Sequence, residues 1–125
     1  MITGIHHIAL KCKSQEEYEK AKVFYTEVLG LTVKREWDAG IMIDTGAGLM
    51  EIFATGGDDR GQGVIRHFAL ATDDADDIVA RVKAAGYNVF MGPADIVIQS
   101  DPPFPARIAF CFGPIGEEIE FFCER

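Results

Sequence analysis

The sequence has few basic residues and lacks a long apolar run. Among its 125 residues, 12 Lys and Arg stand against 20 Asp and Glu, giving a formal net charge of −8. Affinity for nucleic acid comes largely from basic side chains that neutralise phosphates, so this balance argues against nucleic-acid partners and against anionic membrane surfaces. No apolar stretch approaches the roughly 20 residues of a spanning helix, and residues 1–5 do not open a signal peptide. We therefore expect a soluble cytoplasmic protein.

Cysteine is also scarce. Cys12, Cys111 and Cys123 are too few and too scattered for a disulfide framework or a cysteine-type zinc site. We expect three buried, reduced thiols. With 48% hydrophobic residues, residues 1–125 are long enough to form one domain with a core of its own.

Three short segments of the first half of the chain recur, in the same order, in the second half. IHHIAL at 5–10 matches IRHFAL at 65–70, LGLTV at 29–33 matches AGYNV at 85–89, and EIF at 51–53 matches EFF at 120–122. Matches in register indicate two copies of one supersecondary unit. We predict a first module at about 1–55, a linker at 56–63 and a second module at about 64–125.

Each module is predicted to contain one strand, one helix and three further strands, which makes the fold α+β with tandem βαβββ modules. The first helix begins at the capping pair Ser14 and Glu17 and ends at Gly30. The second helix extends from about Asp74 to Ala85. Strands are predicted near 5–12, 31–37, 40–45, 49–54, 64–71, 87–91, 107–112 and 118–123. The segment 92–106 contains four prolines and is predicted to be a loop.

Four polar residues occupy repeated positions in the predicted strands: His7, Glu51, His67 and Glu120. Alternation of side chains places them on the sheet face turned away from the helix, with apolar residues on the opposite face. A half-buried carboxylate is unfavourable unless it is paired or bound to a metal. Two imidazoles and two carboxylates suit a divalent transition metal. The alternative is that each is merely solvated or hydrogen-bonded. His6 and Arg66 are expected on the other face, in structural roles.

The tandem modules and their motifs resemble the vicinal oxygen chelate superfamily. This group includes glyoxalase I, fosfomycin-modifying enzymes, bleomycin-binding proteins, methylmalonyl-CoA epimerase and extradiol dioxygenases. The resemblance rests on HIAL at 7–10, FYTEVLGL at 24–31 and FGPIGEEIEF at 112–121. It implies that the two modules form an open, cupped mixed sheet or barrel around one metal ion. It also implies a homodimer.

Within that superfamily, the set His, Glu, His, Glu resembles bacterial glyoxalase I. The resemblance implies that His7, Glu51, His67 and Glu120 bind one divalent ion, with nickel or cobalt favoured and zinc or manganese possible. It implies a lyase or isomerase that moves a proton on the hemithioacetal of a 2-oxoaldehyde through an enediolate. Glu120 is the base by that resemblance, and Glu51 is able to share the task.

Other residues leave the small-molecule substrate open. Lys11 and Thr55 stand where glutathione-using members carry Arg and Asn, so the thiol is undecided. Arg107 either meets an anionic substrate or lies on the surface, and Phe53, like Trp37, either lines a pocket or belongs to the core. Two alternative functions remain. One is an epimerase similar to methylmalonyl-CoA epimerase, and the other is a non-catalytic protein that binds an antibiotic or metabolite.

Overall fold

The computed structural model describes residues 1, 3–57, 63 and 65–125. The chain divides into two compact units, Met1–Gly61 and Gln62–Arg125. Each unit contains one main helix and one four-stranded mixed sheet, which confirms the predicted α+β class with repeated βαβββ modules. Most of the linker predicted at 56–63 falls on residues 58–62, which lie outside the described ranges.

The first unit begins with a strand and a helix and continues with three antiparallel strands. Its strands are arranged in the order β1-β4-β3-β2, with β1 parallel to β4. The elements are β1 (His7–Lys11), α1 (Gln15–Val23), a π-helical turn (Phe24–Val28), β2 (Thr32–Trp37), β3 (Gly40–Asp44) and β4 (Leu49–Phe53).

The start of α1 follows the predicted cap. The Ser14 side chain accepts a hydrogen bond from the Glu17 backbone N–H at 3.1 Å. The Glu17 carboxylate accepts in return from the backbone N–H of Lys13, one residue before the cap. The helical region ends before Gly30, which adopts φ +74°, a conformation that favours glycine.

The first sheet buries one of its faces. Met50 and Ile52 of β4 are buried, and Ile41 and Ile43 of β3 are buried on the same face. Glu51 lies between Met50 and Ile52, so the alternation of the strand turns its side chain to the opposite face. The core of the first unit is therefore on the side of the sheet that Glu51 does not occupy.

The second unit repeats this plan. Its strands are arranged in the order β5-β8-β7-β6, with β5 parallel to β8. Burial of Ile119, Phe121 and Cys123 defines the core face of β8. The strand predicted to begin at 64 begins instead at Phe68, so His67 immediately precedes it. The elements are β5 (Phe68–Ala71), α2 (Ala75–Ala84), β6 (Val89–Ile98), β7 (Phe104–Phe112) and β8 (Glu118–Glu124).

The prediction of a loop over 92–106 is wrong. β6 continues through Pro93 to Ile98, and β7 already begins at Phe104. Pro93 is tolerated because β6 is an edge strand and its register shifts between Met91 and Ala94, so no ladder hydrogen bond is needed there. Pro105 lies at the start of β7, before the pairing with β8 begins. Only residues 99–103 connect the two strands.

All three cysteines are buried thiols outside any disulfide bond, as predicted. Burial raises the pKa of the Cys111 thiol to about 12, with a smaller contribution from Glu117. A thiol in that state is a poor nucleophile at neutral pH. Among the described residues, no helix has the length and apolar character needed to cross a membrane.

Candidate functional site

The first unit brings His7 and Glu51 together. His7 opens β1 and Glu51 is central in the neighbouring parallel strand β4, where Glu51 pairs in register with Ala9. The Nε2 atom of His7 lies 3.6 Å from Oε1 of Glu51. The side chain of Glu51 is 14% exposed and that of His7 is 39% exposed. The carboxylate is thus mostly shielded from water, while the imidazole remains accessible.

The second unit repeats this arrangement with His67 and Glu120. Nε2 of His67 lies 3.2 Å from Oε2 of Glu120, and the two side chains are 39% and 12% exposed. Glu120 pairs in register with Ala69, two residues after His67. The two units therefore hold a histidine and a glutamate at equivalent positions with nearly equal exposure. In both units an exposed Ala, Ala9 or Ala69, pairs in register with the glutamate.

The donor atoms of each pair fit two adjacent ligands of one metal ion. Atoms bound side by side at the usual ~2.1 Å lie about 3–3.4 Å apart, close to the two measured distances. Imidazole nitrogen and carboxylate oxygen both suit nickel, cobalt, zinc and manganese. Among the residues that the structure describes, no three or more His, Cys, Asp or Glu side chains form a group able to hold a metal ion. Each unit alone thus offers two donors.

Three of the predicted substrate residues lie near the first pair in sequence and strand register. Lys11 and Phe53 are opposite each other in the β1–β4 pairing, on the face that carries His7 and Glu51. Thr55 is exposed two residues after β4. The Phe53 ring meets Trp37 edge to face at 6.2 Å, and Trp37 is 37% exposed. A core position for Trp37 is therefore wrong, and this aromatic pair lies on an accessible surface.

Arg107, the fourth predicted substrate residue, lies on the other side of its sheet. It pairs in register with Cys123, whereas Glu120 pairs with Phe110 on the opposite face. Its guanidinium holds Asp76 of α2 through two hydrogen bonds of 2.6 and 2.8 Å and also contacts Asp95 at 3.2 Å. These carboxylates raise the pKa of Arg107 above its usual range. The Arg107 side chain therefore already has anionic partners, and these contacts link α2 to the sheet.

Phe110 lies next to the second pair and was not singled out from the sequence. Its ring meets the imidazole of His67 edge to face at 5.1 Å. Phe90 stacks on Phe112 at 4.5 Å and approaches Phe110 at 5.8 Å. The sequence contains one signal for this position of Phe110: strand alternation over 108–112 places Phe110 and Phe112 on one face of β7.

His6 is the second residue that sequence reasoning missed. Its Nδ1 atom lies 2.9 Å from Nδ1 of His7. The expectation of a position on the other face rested on strand alternation, but β1 begins only at His7. Outside the strand the alternation does not apply, and the His6 side chain turns toward its neighbour.

A family model described as Glyoxalase/Bleomycin resistance protein/Dioxygenase superfamily matches residues 4–121. The chain belongs to this superfamily. No curated protein matches it. Among solved structures, members of the glyoxalase superfamily share its fold at low sequence identity.

Three solved structures illustrate the likeness in fold. An integron cassette protein from the Halifax Harbour sewage outfall metagenome is 23% identical, covers 98% of this chain and 99% of its own, and has a TM-score of 0.73. Lactoylglutathione lyase from Agrobacterium tumefaciens is 18% identical over 98% and 94%, with a TM-score of 0.68. A glyoxalase/bleomycin resistance protein/dioxygenase from Alicyclobacillus acidocaldarius is 18% identical over 97% and 91%, with a TM-score of 0.69.

Proposed function

We propose that this chain is a metal-dependent lyase or isomerase of the glyoxalase I type, acting on the hemithioacetal of a 2-oxoaldehyde. The observation that carries the proposal is the His–Glu pair at the same register position in both units. Membership of the superfamily, in which metal-dependent enzymes are common, supports the same conclusion. One of the similar structures is a lactoylglutathione lyase, an enzyme of the type proposed here.

In this proposal His7, Glu51, His67 and Glu120 together bind one divalent ion. The set supplies two neutral nitrogen donors and two anionic oxygen donors, so the charges of the carboxylates balance that of the ion. Nickel or cobalt is favoured, and zinc or manganese is possible. Pairing with a cation also explains why two carboxylates are largely withdrawn from water.

The reaction moves one proton between adjacent carbons of the substrate. A bound ion supplies Lewis-acid polarisation of the substrate oxygens, which makes the C–H bond more acidic. A carboxylate oxygen of Glu120 accepts the proton from the hemithioacetal carbon and returns it to the neighbouring carbonyl carbon, while the hydroxyl proton of the hemithioacetal passes to the former carbonyl oxygen. The product is the thioester of a 2-hydroxy acid, and no atom is gained or lost. Glu51, which is similarly shielded, is able to share this work.

The side chains around the first pair bear on substrate choice. Lys11 supplies a cation and Phe53 an apolar ring on the face of His7 and Glu51, and Thr55 supplies a hydroxyl after β4. A single ammonium lacks the fork-shaped donor geometry of arginine. We therefore propose that these residues contact the thiol portion of the substrate and that the thiol need not be glutathione. Arg107 has no place in this proposal, because Asp76 and Asp95 already hold it.

We further propose that the protein is a cytoplasmic homodimer and that its substrate is a small molecule. Its net charge of −8 supports the exclusion of nucleic acid and of anionic membrane surfaces as partners.

The activity is tested with protein that has been stripped and reloaded with Ni²⁺, Co²⁺, Zn²⁺ or Mn²⁺ in turn. Methylglyoxal is mixed with glutathione or with another low-molecular-weight thiol, and formation of the thioester is followed by ultraviolet absorbance. Turnover that requires the metal is the expected result, with the stripped protein as control. A fully loaded protein without turnover on any hemithioacetal would contradict the proposal and direct attention to an epimerase or a binding protein.

A further inference from the structure

His6 and His7 meet through matching ring nitrogens. Their Nδ1 atoms lie 2.9 Å apart, and the two rings stand edge to face at 85° with centroids 5.2 Å apart. Two lone pairs would repel at this distance, and so would two N–H groups. One Nδ1 must therefore carry the hydrogen and the other must accept it.

The backbone of His6 is held in place by the sheet. Its carbonyl oxygen accepts a hydrogen bond from the backbone N–H of Leu49 at 3.0 Å. Leu49 opens β4 and lies two residues before Glu51. The position from which the His6 ring approaches His7 is thus defined by the same pair of strands that positions His7 and Glu51.

The opposite edge of the His7 ring determines which nitrogen carries the hydrogen. Nε2 of His7 faces Glu51 at 3.6 Å, longer than an N–H···O hydrogen bond, so this carboxylate does not require a hydrogen on Nε2. A nitrogen that binds a metal must present a lone pair, and the hydrogen bond of the other ring nitrogen selects that tautomer. A hydrogen on Nδ1 of His7, donated to Nδ1 of His6, meets both conditions.

We propose that His6 is a positioning residue that holds His7 in its Nδ1–H tautomer and presents the Nε2 lone pair on the side of Glu51. In this arrangement His6 carries its own hydrogen on Nε2. The contact between the two rings is a property of the metal-free protein, whereas the choice of the Nδ1–H tautomer of His7 and its benefit for metal binding rest on the proposed function.

The second unit provides an internal comparison. The residue before His67 is Arg66, and the ring of His67 is supported by Phe110 instead of a second imidazole. No hydrogen bond to Nδ1 of His67 occurs among the described residues. Replacement of His6 should therefore change His7 and leave His67 unchanged.

The test uses two replacements at position 6. His6→Asn keeps an acceptor, because the amide oxygen occupies the same place along the side chain as Nδ1. His6→Phe keeps the ring shape and removes the acceptor. Two-bond ¹H–¹⁵N correlation spectra of the metal-free proteins at about pH 8, where ordinary imidazoles are neutral, report the tautomer of each histidine directly.

We expect the Nδ1–H form of His7 in the wild type and in His6→Asn, and a loss of that form in His6→Phe. Ni²⁺ affinity should fall by about 10–100-fold in His6→Phe, as is typical when a residue supporting a ligand is lost, and should stay at the wild-type value in His6→Asn. A His7 that carries its hydrogen on Nε2 in the wild type, or an unchanged tautomer in His6→Phe, would overturn the proposal. The expected tautomers in a protein that binds no Ni²⁺ would support the positioning role and refute the proposed metal site.

Discussion

The carboxylate of Glu120 is largely withdrawn from water, and no Lys or Arg within the described part of the chain forms an ion pair with it. Among the described residues it is the only charged residue that is buried, and its close partner is the imidazole of His67. Burial of a charged group is unfavourable unless the charge is compensated. A divalent ion would supply that compensation, and a carboxylate shielded from water is suited to hold and return a proton.

Replacement of Glu120 should separate turnover from folding. Glu120→Gln keeps the size of the side chain but removes the base, so kcat should fall by at least about 100-fold. The Ni²⁺ affinity should fall less than in His67→Ala, because the amide oxygen remains a weak donor. Steady-state kinetics and metal titration of the purified variants measure both effects.

Glu118 provides the matched control for that replacement. It lies two residues earlier in β8, on the same face of the sheet, and pairs in register with Phe112. Glu118→Gln should retain the wild-type kcat to within a few-fold. Equal activity of Glu120→Gln and Glu118→Gln would remove Glu120 from the mechanism.

The residues of the candidate site differ in how far the sequence predicts them. The four repeated positions follow from the internal repeat, and strand alternation places His7, Glu51 and Glu120 on the face without the core. His67 lies just before its strand. The approach of His6 to His7 could not be predicted, because alternation has no force before the strand begins. The partners of Arg107 depend on the register of β7 against β6 and on the packing of α2, neither of which can be read from the local sequence.

At the scale of the elements, both helices begin at an acceptor side chain. Ser14 caps α1, and Asp74 caps α2 by accepting from the backbone N–H of Asp77 at 3.0 Å. The sequence predicts such starts well, because a cap involves only residues close together in the chain. The cap of α1 therefore makes a local contribution that a single replacement can isolate.

Loss of the cap should weaken the first unit. Ser14→Ala removes the acceptor for the Glu17 N–H and should lower the free energy of unfolding by about 1 kcal/mol, measured by urea denaturation. Ser14→Asp restores an acceptor and is the control. A Ser14→Ala protein as stable as the wild type would show that this hydrogen bond contributes nothing.

The link between α2 and β7 should make stability depend on pH. The hydrogen bonds from Arg107 are the largest cause that lowers the pKa of Asp76, so the folded state favours its charged form. The resulting stabilisation is fully present above the ordinary Asp pKa of about 4 and is lost as pH falls through the lower folded value. Asp76→Asn should therefore be less stable than the wild type at neutral pH, and the difference should shrink below about pH 4.

Urea denaturation across this pH range measures the difference, with Asp77→Asn as the matched control. Asp77 pairs with Arg81 on the same exposed helix face and does not connect α2 to the sheet. A stability difference between Asp76→Asn and the wild type that is the same at pH 3 and pH 7 would contradict the account.

The strands that pass through the proline-rich segment show where element prediction fails. Proline disrupts a β-ladder only where the backbone N–H that it lacks would have donated a hydrogen bond. Neither the edge position of β6 nor its register shift beside Pro93 is visible in local sequence, because both depend on pairing with β7. Short-range signals predict the helices and tight turns, whereas sheet order determines what a proline can do.

At the scale of the whole molecule, the two units carry equivalent pairs that each supply half of the proposed ligand set. The internal repeat predicts this division, since duplicated strands carry duplicated side chains. The proposed homodimer is a separate prediction at this scale. Light scattering coupled to size exclusion should give twice the chain mass of 13.7 kDa, and a monomer at micromolar concentration would contradict it.

Metal stoichiometry tests the central claim most directly. Calorimetric titration of stripped protein with Ni²⁺ should give one ion per chain. His7→Ala and His67→Ala should each weaken Ni²⁺ binding. Each loss should exceed the ~10–100-fold that is typical of residues that only support a ligand. These replacements lie in different units, so loss in both variants would show that the two pairs serve one ion. Two ions per chain, or wild-type affinity in either variant, would contradict the account.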